Sequence, residues 1–187
     1  MMEKIISIIF HPSISTFLGF LIIFLARCRN LLDFVDIIFF FSILPFLITL
    51  VMWKLGKISD LFISRREERG RVIIIVLLGY LVGSLVLYYF NFSSIFFYLS
   101  IAYIVNTILI LSISLKYKIS IHVATITAIS TALIMILGIK FIFFYLFSII
   151  VGIARVKIKA HTIDQVLSAF IISIIVTFIQ LKIYLGE

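Results

Sequence analysis

The sequence predicts an all-α, polytopic membrane bundle of six to seven transmembrane helices. Three observations carry this. Apolar residues make up 64% of the 187-residue chain and charged ones 13%, against about 45–50% and about 25% in soluble domains. The mean hydropathy is +1.35. The apolar stretches recur at about the 17–25 residues a spanning helix needs, without the alternation of barrel strands. Helices pair every backbone group internally, as the bilayer demands.

Taken in order, Glu3 to Phe10 reads as an interfacial helix or the start of the first span. Its weakly basic start lacks the small-residue cleavage site of a secretory signal. Candidate spans follow at 12–27, 31–53, 72–90, 94–115, 119–138, 139–154 and 162–183, the first and sixth being short. No repeat and no low-complexity linker interrupts them. A single membrane-embedded domain over 1–187 is expected, with its chemistry-bearing part at about 60–183. The single Cys28 excludes a disulfide within the chain and any Cys-cluster metal site, and reads as an unmodified thiol in a basic turn.

The net charge of +8 comes from cations that flank apolar runs rather than build a polar face. Lipid phosphate is therefore a better partner than nucleic acid. The 54–71 loop holds Lys54, Lys57, Arg65, Arg66, Arg69 and Arg71; the turn near 116–118 holds Lys116 and Lys118; the turn at 155–161 holds Arg155, Lys157 and Lys159. Two spans separate each of these connections from the next, so all three fall on one membrane face. By the positive-inside rule that face is cytoplasmic. The other face has Arg27, Arg29, Lys140 and Lys182, thinly spread.

The positive-inside rule does not ask for His122 and His161 beside those cations. Three clusters share the basic face: Asp60 with Arg66-Glu-Glu-Arg69, then Lys118-Ile-Ser120-Ile-His122, then Arg155 with His161 six positions on. Arg offers a planar fork to phosphate oxygens, and Lys adds a point charge. One His can attack phosphorus while a second protonates the departing alkoxide. No carboxylate cluster is available for Mg²⁺, so neither metal nor other cofactor is expected.

The order K-x-S-x-H followed by R-x5-H resembles the type 2 phosphatidic acid phosphatase superfamily of membrane lipid phosphatases, in particular its short prokaryotic and archaeal members. The resemblance runs from about Asp60 to the last helix. It implies that His161 is the nucleophile of a phosphohistidine intermediate and His122 the general acid. It further implies that Arg155, Arg69, Arg66, Lys118 and Ser120 bind phosphate. Ala154 stands where the family has Ser, Ile119 where it has Pro, Ile121 where it has Gly, and Gly70 where the first block has Pro. The family's orienting Asp falls four residues after the nucleophile, where this chain has Gln165, with Asp164 one position earlier. Both share a helical face with His161, so either can orient it.

Other polar residues have plainer readings. His11 before Pro12 fits no block and reads as interfacial. Arg65, Arg71, Lys157 and Lys159 read as solvent or headgroup contacts, and Glu67 and Glu68 as partners of the neighbouring arginines. Asp33 and Asp36 read as interfacial residues next to Arg29, and Asn106 as an interhelical hydrogen bond. The expected function is hydrolysis of a lipid phosphate, either a polyprenyl phosphate or diphosphate or a phosphatidic-acid-like lipid, by a multi-pass cell-membrane enzyme. A lipid or phosphate transporter or flippase, and a non-catalytic membrane scaffold, are the rival classes. Phosphate release lost on His161→Ala separates the enzyme from both.

Overall fold

The computed structural model describes residues 2–27, 30–90 and 94–186; Cys28 and Arg29 lie outside the described residues. All regular structure among them is helical. Five segments are long and apolar enough to cross a membrane: Leu31–Lys54, Arg66–Tyr89, Ile95–Ser114, Ile139–Lys157 and Ile163–Leu185. Pro12–Arg27 and Ile121–Leu137 are shorter apolar helices. The short pair is thus the first and fifth, not the first and sixth. Gly138, at φ 99°, ends the fifth, and the sixth gains length by continuing to Lys157.

Contacts divide the chain into two units, Asn30–Lys118 and Met1–Arg29 with Ile119–Glu187. The first of these holds α3 (Leu31–Ile38), a π-turn (Phe39–Ile43), α4 (Leu44–Lys54), α5 (Arg66–Tyr89) and α6 (Ser94–Ser114). The segment 31–54 runs antiparallel to α5. A Cβ at Gly83 would come 2.6 Å from Cβ of Phe40, and one at Gly79 would come 2.7 Å from Leu44 Cδ2. Helices held together without a hydrophobic driving force need such small residues to approach. Phe41 stacks on Tyr80 at 4.7 Å, and both meet Tyr103 edge-on. Ser84 donates to Ser100 at 2.9 Å, joining α5 to α6. Asp33 and Asp36 are buried rather than interfacial, and Asn30 Nδ2 donates to Asp33 at 2.8 Å. Asn106 donates to Ala102 O within its own helix.

The other unit is built from both ends of the chain: α1 (Met2–Ile9), α2 (Pro12–Arg27), α7 (Ile121–Leu137), a 3₁₀ turn (Ile139–Phe144), α8 (Tyr145–Lys157) and α9 (Ile163–Leu185). The run 3–10 proves to be a helix separate from the first span. It exposes Met2, Ile5, Ile8 and Ile9 and buries Ser7. The core helix is α7, packed against α2, α8 and α9. Its buried Thr127, Ser130 and Thr131 face neighbours that are also small: Ala169, Ser173 and Thr177 recur every fourth residue on α9. Thr131 Oγ1 and Tyr145 OH lie 2.9 Å apart, tying α7 to the start of α8.

Helix directions follow from the contacts. His11 meets His122, a Cβ at Gly19 would meet Ile129, and Arg27 Nη2 donates to Ile136 O at 3.0 Å. So α2 runs parallel to α7. α8 returns, and α9 runs parallel to α7 again. The amino termini of α2, α7 and α9 and the carboxyl terminus of α8 therefore share one end of this unit. All three histidines of the chain sit there.

Candidate active site

Gly152 shows how the helices converge at this end. A Cβ there would lie 2.7 Å from Val166 Cγ1 and 3.8 Å from Val123 Cγ2. α7, α8 and α9 thus meet one residue beyond His122, three before Arg155 and one beyond Gln165. The side chains of His122, Arg155 and His161 are 3%, 3% and 6% exposed. The structure brings Ser120 and His122 of the second cluster to the same end of this unit as Arg155 and His161 of the third; Lys118 belongs to the other unit.

The spacing between Arg155 and His161 has a backbone cause. α8 ends in a Schellman turn: Ala160 N–H bonds to Arg155 O at 3.1 Å, and Lys159 N–H to Val156 O at 2.9 Å. His161 N–H also donates to Arg155 O, at 3.3 Å. The carbonyl of the arginine thus anchors the amide of the histidine, and the two side chains are fixed in one loop. Lys159 occupies the left-handed position of this turn, at φ 57°, where glycine is the low-cost residue. Lys159→Gly is expected to stabilise the protein by about 1 kcal/mol. A melting temperature in detergent no higher than that of the parent contradicts this.

Gln165 answers the orientation question. Thr162 caps α9, and its N–H donates to Gln165 Oε1 at 3.3 Å. Only an oxygen can accept that bond, so the amide oxygen is the atom 3.1 Å from His161 Nδ1. A carbonyl oxygen cannot donate, so Nδ1 carries the proton and donates. In the neutral ring the lone pair is then on Nε2. Asp164 is exposed in the first turn of α9, where its charge complements the helix dipole. Gln165→Leu is expected to lower turnover about 10- to 100-fold by releasing the tautomer. Gln165→Glu keeps an acceptor and most of the activity. Equal rates for the two variants contradict the assignment.

Ser120 is the N-cap of α7. Its hydroxyl is fully buried and makes no hydrogen bond. An unsatisfied hydroxyl at a helix amino terminus, at the end of the unit that also holds the buried Arg155, is a place for anion oxygens. His122 follows in the first turn of the same helix. A second parallel amino terminus, that of α9, adds partial positive charge at this end.

Arg66, Arg69 and Lys118 lie in the 30–118 unit. Arg66 is exposed and donates to Lys116 O at 2.9 Å. Arg69 is 2% exposed and donates through Nε to Ile63 O at 3.1 Å. Ile63 is itself left-handed, at φ 50°. Asp60 accepts from Phe62 N–H at 2.8 Å and from Ser64 Oγ at 3.1 Å. Glu68 is not simply a partner for neighbouring arginines, because it accepts from Ser59 N–H at 2.9 Å and Ser59 Oγ at 3.0 Å. Asp60, Glu68 and Arg69 together hold the 59–64 loop in shape. Lys118 is partly exposed.

Reading the sequence missed His11. Its ring stands edge-to-face against His122, with centroids 5.9 Å apart. The available signal was its position: like the other two, it sits at the start of an odd-numbered span. Among the described residues no group of three or more His, Cys, Asp or Glu is placed to hold a metal. Compared with protein-family models, curated proteins and solved structures, the chain shows no match.

Proposed function

We propose that this integral membrane protein is a lipid phosphatase of the type 2 phosphatidic acid phosphatase kind, working through a phosphohistidine. The observation that carries the reading is the state of His161: its Nδ1–H is committed to Gln165, so that Nε2 is the ring nitrogen that acts as nucleophile, in the same loop as the buried Arg155. Nε2 attacks phosphorus as the bond to the lipid oxygen breaks. His122 gives its proton to that oxygen, so the lipid leaves as an alcohol, or as a monophosphate if the substrate is a diphosphate. Water then attacks the phosphohistidine, and inorganic phosphate departs. Arg155 and the Ser120 hydroxyl hold the equatorial oxygens, where preorganised donors in a dry site act most strongly.

The substrate is a phosphate on a long apolar tail. Polyprenyl phosphate or diphosphate is favoured over phosphatidic-acid-like lipids by the D…R-x-x-R form of the first block. The positive-inside count favours a cytoplasmic active face. The test is release of inorganic phosphate from prenyl phosphate, prenyl diphosphate and phosphatidic acid in detergent, with EDTA present. Lipid movement in vesicles without phosphate release converts the reading to a flippase. Activity that collapses on chelation removes the metal-free mechanism.

A further inference from the structure

We propose that His11 is a positioning residue for the proton donor, so that the corner between α1 and α2 belongs to the catalytic apparatus. This rests on the function proposed above and adds to it a residue that none of the three sequence clusters contains.

The geometry that points to His11 is local and rigid. Its ring meets His122 at 5.9 Å, with an 85° angle between the planes. Ser13 N–H donates to His11 Nδ1 at 3.3 Å. Nδ1 is therefore an acceptor, and the proton of the neutral ring is on Nε2. A second ring proton would have to displace the Ser13 bond. His11 N–H bonds to Ile8 O at 3.1 Å and His11 O accepts from Ser15 N–H at 3.0 Å, so the residue is built into both helices of the corner. Phe10 packs on Phe147 of α8 at 5.5 Å. About two turns further along, the close approach of Gly19 to Ile129 fixes α2 on α7.

The chemistry follows from the division of labour between the rings. His122 must carry a proton to the leaving oxygen and is almost fully buried. A neighbouring imidazole whose own ring is fixed by the Ser13 bond and by both helices of the corner holds the His122 ring in one orientation. Among the described side chains, the ionisable groups on the elements packed around the corner are Glu3 on α1, Arg155 and Lys157 on α8 and His122 on α7; α2 carries none before Arg27.

The experiment measures phosphate release from prenyl phosphate, and from a phosphate ester whose leaving group needs no proton, for the full chain in detergent. His11→Ala is expected to lower kcat on prenyl phosphate about 10-fold with KM unchanged, and to leave kcat on the second ester as in the parent. His11→Phe keeps the packing but loses the Ser13 bond that fixes the ring, and is expected to show the same substrate-selective loss. The double variant with His122→Ala is expected to be no slower than His122→Ala alone. A His11→Phe protein with the parent's kcat on prenyl phosphate reduces His11 to a packing contact and overturns the proposal. So does an additive loss in the double variant. An inactive parent protein is a different failure: it removes the phosphatase reading itself, and shows in the first arm before any variant is made.

Discussion

Replacing His161 by Ala is expected to reduce phosphate release by at least about 10⁴-fold, since removal of a covalent nucleophile leaves only binding and electrostatic effects. The loss should not be a folding defect. The bond that His161 makes to Arg155 O comes from its backbone amide, so the Schellman turn survives the substitution, and Gln165 still caps Thr162. In the parent protein, a substrate labelled on phosphorus should leave label on the protein during turnover. That label should be stable to alkali and lost in acid, as a phosphoramidate is. His122→Ala should still accept label from a substrate whose leaving group needs no proton, whereas His161→Ala should not. Label retained by His161→Ala sinks the covalent assignment. Unlabelled protein that still releases phosphate points instead to direct attack by water.

The helices were legible because their cause is one-dimensional. A run such as Val72 to Tyr89 must be a span whatever it packs against. Helix ends were less so: α8 continues past residue 154 to Lys157 because the Schellman turn closes it there, and composition alone does not show that turn. The spacing of Arg155 and His161 was visible, but its reason was not, because the Schellman turn has a lysine where glycine usually marks it. The choice between Gln165 and Asp164 was undecidable from periodicity, since i+3 and i+4 share a face. It is decided by Thr162 N–H, a backbone donor that no side-chain pattern reports. His11 escaped because the contact to His122 is made by two helix starts over a hundred residues apart in sequence. Span parity puts both at one membrane face, yet parity gives no lateral neighbour. Asp60, Glu68 and Arg69 read as site charges, and each also has a structural task in the 59–64 loop that depends on the left-handed Ile63.

Arg155→Ala is expected to lower kcat/KM about 10³-fold, and Arg155→Lys is expected to restore no more than about a tenth of the loss. The reason lies in where the guanidinium sits. It is buried at the carboxyl end of α8, across from the amino termini of α7 and α9. A planar fork there can bind two phosphate oxygens at once; an ammonium group on a shorter reach offers one point charge and is held less rigidly. The effect should fall mainly on kcat, because the charge that builds on the equatorial oxygens is greatest as the phosphoryl group passes to His161. Inhibition by vanadate, which can adopt the five-coordinate geometry of transfer, should weaken in parallel with kcat/KM across the Arg155 variants. A lysine variant as active as the parent would mean that charge alone is required. The match of the fork to phosphate, on which the assignment of this end as the phosphate site depends, would then fail.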